Sequence, residues 1–364
     1  SVNKSIIYLD HNSTASMHAD VVGHVVELLS DPSNPSSLHS RGRYSKGLIE
    51  DARKSIMCNL NIDQLSHDVI FTSSGTESNN MILQSFSDYH LFISPIEHSS
   101  VIKIAEQMSN ITFLKVNEEG IIDEEFLVTA LKNSKSENKF VSIGHANSET
   151  GVIQDLAAIS KWAKSNNIQI HTDAVQAIGK INVDFEELEI DAMTISSHKI
   201  YGPQGAAALI LNKKIDLFPH LTGGGQEKGL RSGTENIAAI VGFGKACERV
   251  QKNVVTINDE VKKYRALLEK ELKNLGAVVF SDQTKRLANT TFFAFKNIDG
   301  STLLTALDRK GFAIASGSAC SSNSSEPSHV LLAMGIDEEL AQGALRVSLG
   351  VKTKKDDMTI RIII

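Results

Sequence analysis

The chain has 364 residues, 41% hydrophobic and 22% charged, with a formal net charge of −6 and three cysteines. That length calls for two domains, or for one large α/β unit with a second lobe. The acidic balance argues against a dedicated nucleic-acid binder, no apolar run is long enough to span a bilayer, and three widely spaced cysteines make neither a disulfide framework nor a zinc site.

The opening "SVNKSIIYLD" shows no signal-peptide core and no Arg-rich amphipathic presequence. A cytoplasmic, bacterial setting is expected, with the mitochondrial matrix left open for a chain that has lost a presequence. Further on, "DVIFT" (68–72), "LFIS" (91–94), "FVSIGHA" (140–146), "IQIHTD" (168–173), "DAMTIS" (191–196) and "AAALIL" (206–211) read as buried strands. Amphipathic stretches such as "DLAAISKWAKSNN" (155–167) lie between several of them. This alternation predicts an α/β fold with a mostly parallel sheet and helices on both faces. Ligands of such sheets sit beyond the carboxyl ends of the strands, so the residues just after each run are the ones to read for chemistry. The large domain is placed at 15–255. From about Thr256 the texture changes to a long charged helix, "NDEVKKYRALLEKELKNLG", then "AVVF", "NTTFFAF", a helix near 301–310, "GFAIA" and "GALRVSLG". This predicts a smaller α+β domain of residues 256–364, joined by residues 1–14. Cys58 closes an amphipathic helix and Cys247 lies inside another; both read as structural. Cys320 alone sits in a loop composition, the small-residue stretch 315–329.

Five places after the strands carry candidate chemistry. "FTSSGTESNN" (71–80) follows a strand and opens a helix, so Gly75 and Thr76 present backbone N–H groups and a hydroxyl to an anion. The same letters also read as a capping box on Ser74 or Thr76 with a nearby Glu. "SPIEHSS" (94–100) puts His98 beyond a strand, where a lone His is as readily structural. "HTDAVQ" (171–176) ends a strand on Asp173, with Gln176 three residues on; a buried Asp calls for a cation unless it only caps a helix. In "TISSHKIYGPQG" (194–205), Lys199 is crowded by Ser196, Ser197 and His198 and closed off by Gly202–Pro203. That setting suits a Schiff-base lysine, against the plain alternative of a surface lysine in a turn. "GGGQEKGLRSGTEN" (223–236) is a glycine-rich loop ending at Thr234 before a helix, again suited to an oxyanion. Together these supply an amine for an aldehyde, an acid for a pyridinium, an imidazole to stack and several donors for a phosphate. Those are the parts that hold pyridoxal phosphate.

The runs "FTSSGTES", "HTDAVQAIGK", "SSHKIYGPQG", "RSGTEN" and "SGSACSS…EPSHVLLAMG" follow one another between "YLDHNSTA" and "LRVSLG". In this the chain resembles the cysteine desulfurases of the class V aminotransferase group, fold-type I, and among them the long-loop branch that serves iron–sulfur cluster assembly. The resemblance implies pyridoxal 5'-phosphate held covalently by Lys199, its ring nitrogen paired with Asp173, its ring oxygen near Gln176, Asn147 and Ser148, and His98 stacked on it. It implies a phosphate site of Gly75, Thr76, Ser196, Ser197 and His198, with Thr234 reaching the site of the other subunit of a homodimer. Arg346 would grip the carboxylate of L-cysteine, with Ser148 close by. Cys320 would take the sulfur as a persulfide, releasing L-alanine, and pass it to an iron–sulfur scaffold or other sulfur-acceptor protein. Small residues such as Gly317, Ala319 and Ser321 suit the reach this requires. No resident metal is implied beyond a transient contact of Cys320 with an iron–sulfur cluster, and no nucleic-acid or membrane partner is expected.

Three departures stand out. Ser148 occupies the place of the second asparagine of the family's usual pair, which puts substrate affinity or rate in question. "HNSTASMHAD" lacks the usual Thr-Thr-Pro-like ending, and the chain stops at "MTIRIII", short of the tail that docks the scaffold in many relatives. Two other readings compete: another enzyme on the same cofactor, such as a selenocysteine lyase or a transaminase, and a non-catalytic, partner-binding dimer.

Overall fold

The computed structural model describes residues 6–317, 326–354 and 357. Seven strands form the large sheet, in the order His67–Thr72, Ala207–Asn212, Ala192–Ser196, Gln169–Asp173, Lys139–Ser142, His90–Ile93 and Ile111–Phe113. Ala207–Asn212 runs antiparallel to both of its neighbours, and all the other pairs are parallel. Six of these strands correspond to the six apolar runs. The seventh, Ile111–Phe113, has only three residues, none of them buried, and leaves no apolar run to read. Side chains alternate across the pleat, so successive residues feed two cores. Val69, Phe71, Val141, Ile170, Met193, Ala208 and Ile210 pack into one; Ile70, Phe140, Ala192, Leu209 and Leu211 pack into the other.

The second sheet is antiparallel, in the order Ala315–Ser316, Leu345–Ser348, Thr290–Ala294, Val278–Val279. Ile7–Tyr8 pairs in parallel with Phe312–Ala313, and Leu9 is buried in the core beneath. The charged helix expected from about Thr256 is the second half of one helix, Ile237–Asn274. Its first half is apolar nearly all round, with Ala239, Phe243 and Val250 in the large core. Its second half buries only a stripe, Val261, Leu268 and Leu272, in the small one. The change of texture is therefore a change of partner within one helix. Cys247 is buried, as expected of a structural thiol, whereas the side chain of Cys58 is exposed.

The N-terminal segment runs from the small sheet into the large one. Ser348 N donates to Leu9 O at 2.9 Å and Asn12 N to Ser348 Oγ at 2.9 Å. Ala15 N then bonds His198 O at 2.9 Å and His18 N bonds Tyr201 O at 3.0 Å. Residues 10–15 thus cross from one sheet to the loop that carries Lys199.

Candidate active site

The segments that follow five strands of the large sheet converge on a cavity of about 240 Å³. Its wall includes Gly75, Thr76, His98, Asn147, Ser148, Asp173, Gln176, Ser196, His198 and Lys199. Ser197, Thr234 and Arg346 do not line it. Ser197 is buried under the Lys199 loop, where a Cβ at Gly202 would lie 2.3 Å from Ser197 Oγ. Thr234 is exposed, and Cys320 lies outside the described residues.

Lys199 owes its place to a tight turn. Strand Ala192–Ser196 ends, and Ile200 N and Gly202 N both bond back to Ser197 O at 3.1 Å. Tyr201 sits at φ 67, a left-handed conformation unusual outside glycine. It is held there by His18 on its carbonyl and by Val351 N, which donates to its hydroxyl at 3.1 Å. Lys199 Nζ donates to the main-chain carbonyls of Asn12 at 2.6 Å and Ser13 at 2.9 Å.

Asp173 ends its strand with one carboxylate oxygen accepting from Val175 N at 2.9 Å and the other from Asn79 Nδ2 at 3.0 Å. Asn79 also donates to Ser100 Oγ at 3.0 Å, and Ser100 N donates to His98 Nδ1 at 3.0 Å. The acid and the imidazole are thereby held by one set of bonds. His98 caps helix Ser99–Ala105. The two readings of "FTSSGTES" are both present. Ser74 Oγ caps helix Gly75–Ser85 by accepting from Glu77 N at 3.1 Å, while Gly75 and Thr76 stand ahead of the first intrahelical bond, Ser78 N to Ser74 O.

Asn147 is turned away from simple ligand duty. Its Oδ1 accepts from Glu149 N and Thr150 N, and its Nδ2 donates to Ile96 O at 2.9 Å. The main-chain carbonyl of Ser148 accepts from Arg346 Nη1 at 3.0 Å and Asn12 Nδ2 at 3.2 Å. Arg346 also reaches Asp10 Oδ1 and Ser13 Oγ, both at 2.8 Å, and its buried Nε has no partner among the described residues.

Electrostatics follow from enclosure. Burial, then the charge of Lys199, hold His198 down to about 4, so its ring is neutral near pH 7. Its Nδ1 lies 3.1 Å from Thr14 Oγ1. Glu97, 5% exposed on the cavity wall, is pushed up to about 8 by burial and by the charge of Asp173. A Cβ on Gly144 would come within 2.9 Å of its carboxylate, so the close seat needs glycine.

The sequence reading missed Asn12, Asn79, Ser100 and Glu97. An asparagine or serine in a polar run reads first as a turn or cap, and only "SPIEHSS" offered a hint, since it sets Glu97 beside His98.

The cavity fits the cofactor that the motifs imply. Ser196 Oγ is buried at its wall with no hydrogen-bond partner among the described residues. An enclosed hydroxyl of that kind calls for a polar ligand. It stands with a helix N-terminus, a neutral imidazole, an amine and a carboxylate, the donor set for a phosphate, an aldehyde and a pyridinium.

The family model for the class-V aminotransferases matches residues 7–360 of the chain. The chain is 38% identical over 371 residues to the cysteine desulfurase IscS of Dictyoglomus turgidum, covering 98% of this chain and 92% of that protein. It is 37% identical over 357 residues to a cysteine desulfurase of Nostoc sp., covering 95% and 88%. The solved structure of a NifS-like protein from Rickettsia africae superposes with a TM-score of 0.93 at 40% identity, covering 98% of this chain and 97% of that one.

Proposed function

The chain belongs to the class-V aminotransferase family, among its cysteine desulfurases, and on that premise we propose how its residues convert L-cysteine to L-alanine and carry off the sulfur. The observation that carries the reading is the meeting of Lys199, Asp173, Gln176 and His98 with the N-terminus of helix Gly75–Ser85 around one cavity. Pyridoxal phosphate, when bound, supplies an aldehyde for amines and a ring that accepts electrons from the substrate Cα. Lys199 would hold it covalently, Asp173 its ring nitrogen, Gln176 its ring oxygen, and Gly75, Thr76, Ser196 and His198 its phosphate, with Ser197 shaping the turn behind them.

Arg346 binds the carboxylate of L-cysteine. Its guanidinium, which is not part of the cavity wall, is held by Asp10, Ser13 and the Ser148 carbonyl, and Nε keeps donor capacity. Lys199 Nζ takes the proton from the substrate Cα and later returns one. His98, with Nδ1 fixed by Ser100, leaves Nε2 to exchange a proton at the substrate thiol. The thiolate of Cys320 attacks the substrate sulfur: the Cβ–S bond breaks and an S–S bond forms. Of the two thiol hydrogens, one ends on Cβ, giving alanine, and one on the persulfide.

Further support bears on assembly. Val22, Val26 and Leu29 are exposed along helix Ala19–Ser30, and Tyr44, Phe218 and Leu221 are exposed elsewhere. Thr234 is exposed and away from its own cavity. Both features suit a homodimer in which Thr234 serves the partner's phosphate site. Cys320 then hands its sulfur to an iron–sulfur scaffold or other acceptor protein, in a reducing compartment that suits the free thiols of Cys58 and Cys247. No helix among the described residues is long and apolar enough to cross a membrane.

The test is to feed L-cysteine with a reductant to the wild type and to Cys320→Ala. Alanine and sulfide should appear in equal amounts, with both falling at least a hundredfold in the variant. Equal turnover by the variant would overturn the route through Cys320.

A further inference from the structure

Lys199 also borders a second cavity, of about 20 Å³. Lys180 lies across it, with His11, Tyr201, Asn258 and Asn289 in the same wall. The backbone places Lys180 there firmly. Gly179, at φ +78, lets the chain press on Val250, where a Cβ would stand 3.0 Å from Val250 Cβ, and Asn258 Nδ2 donates to Lys180 O. Lys180 Nζ donates to two amide oxygens at once, Asn12 Oδ1 at 2.9 Å and Gln176 Oε1.

Because Nζ is the donor in both bonds, both amides turn their oxygens towards it. The amide group of Gln176 is left with Nε2 on the far side, where it donates to Asn12 O at 2.9 Å. Asn12 is left with Nδ2 for Ser148 O and Thr290 Oγ1, while Asn289 Nδ2 supports its Oδ1 at 3.1 Å. Asn12 is 1% exposed and every polar atom it has is engaged. Its main-chain oxygen, so fixed, is the acceptor on which Lys199 Nζ rests at 2.6 Å.

We propose that Lys180 is a positioning residue for Lys199 and Gln176: its Nζ, donating to Asn12 Oδ1 and Gln176 Oε1, sets the direction of both amides and with it the main-chain seat of Lys199. The inference rests on the reading of Lys199 as the residue that carries the cofactor. The charged and titratable groups facing Lys180 are Lys199, Arg346 and His11, with Asp10 and Lys352 also acting on His11. Burial, then the charges of Lys199 and Arg346, hold Lys180 itself well below the usual lysine range.

The experiment compares full-length wild type with Lys180→Met, Lys180→Gln and Lys180→Arg, each loaded with pyridoxal phosphate. The pH midpoint of the visible absorption band is read first. Competitive acetylation of Lys199 across pH, measured by peptide mass spectrometry, is read next on the same chains freed of cofactor. In the Met and Gln variants both midpoints should shift by about one pH unit, the worth of one hydrogen bond lost from the seat of Lys199. Lys180→Arg, which keeps charge and donors, should stay near wild type. If Lys180→Met does not fold, Lys180→Gln carries the test. Midpoints unchanged in the neutral variants, or shifted as far in Lys180→Arg, would overturn the inference. Borohydride reduction of the loaded wild type tests the underlying reading separately: cofactor mass on any residue but Lys199 defeats that reading, whatever the acetylation midpoints show.

Discussion

At Ser148, where the family resemblance leads one to expect an asparagine, the neighbouring frame does not depend on the side chain. Arg346 and Asn12 both bond the main-chain carbonyl of residue 148, which any residue would offer. What serine lacks is the reach and second polar atom of an amide beside the cavity. Ser148→Asn should therefore lower KM for L-cysteine by up to about tenfold, the worth of one hydrogen bond, while stability stays within about 0.5 kcal/mol. Steady-state kinetics and thermal unfolding check it; an unchanged KM would show that residue 148 does not face the substrate. The same contrast between side chain and backbone explains what could be read beforehand. Lys199 and Asp173 were legible because each ends an apolar strand with a residue too costly to bury for nothing. Asn12 was not, because its role lies in the direction of its carbonyl, which depends on Lys180, Asn289 and Thr290 from distant parts of the chain.

Among the elements, helix Ser40–Asn59, strand His67–Thr72 and the glycine-rich loop meet at Glu227. Its carboxylate accepts from Arg53 Nη2 at 2.7 Å and from Phe71 N at 2.6 Å, and the guanidinium of Arg53 lies over the Phe71 ring. Both side chains are largely buried. Truncating one partner strands the other's charge, so Glu227→Ala should cost about 3–5 kcal/mol in chemical denaturation, and Glu227→Gln, which still accepts from Phe71 N, less. A loss under about 1 kcal/mol would mean that the pair is solvated. Glycines at 223–225 and Thr234 advertised an anion loop, but nothing in the letters marked Glu227 as its anchor. The helix Ile237–Asn274 teaches a related lesson: its apolar and charged halves looked like different elements because periodicity reports which partner a helix faces, and that partner changes midway.

For the molecule as a whole, the parallel sheet was legible from six apolar runs, whereas the edge strand Ile111–Phe113 and the passage of residues 10–15 between two sheets were not, since both are fixed by tertiary contacts rather than pattern. Enclosing the site between these sheets also shapes the response to pH. His11, His145 and His198 are held to about 4 and His171 to about 3, chiefly by burial. The unfolded chain binds their protons from about pH 6.5 downward while the folded chain does not, so their contribution to stability is lost as pH falls through that range. Glu97 acts in the opposite sense: folded, it keeps its proton up to about 8, whereas unfolded it loses it near 4.5. The stability of wild type relative to Glu97→Gln should therefore fall as pH rises from about 5 to 8, and thermal unfolding of the two at matched pH measures it; a difference independent of pH would contradict the burial of that carboxyl. The central claim concerns the route of the sulfur, and one measurement meets it most directly: incubate the full-length protein, loaded with pyridoxal phosphate, with a single equivalent of L-cysteine and no reductant, then locate the added sulfur by peptide mass spectrometry while counting alanine. The account predicts one alanine for each persulfide, with the persulfide on Cys320. Alanine formed with no sulfur on Cys320, or sulfur on Cys58 instead, would contradict it.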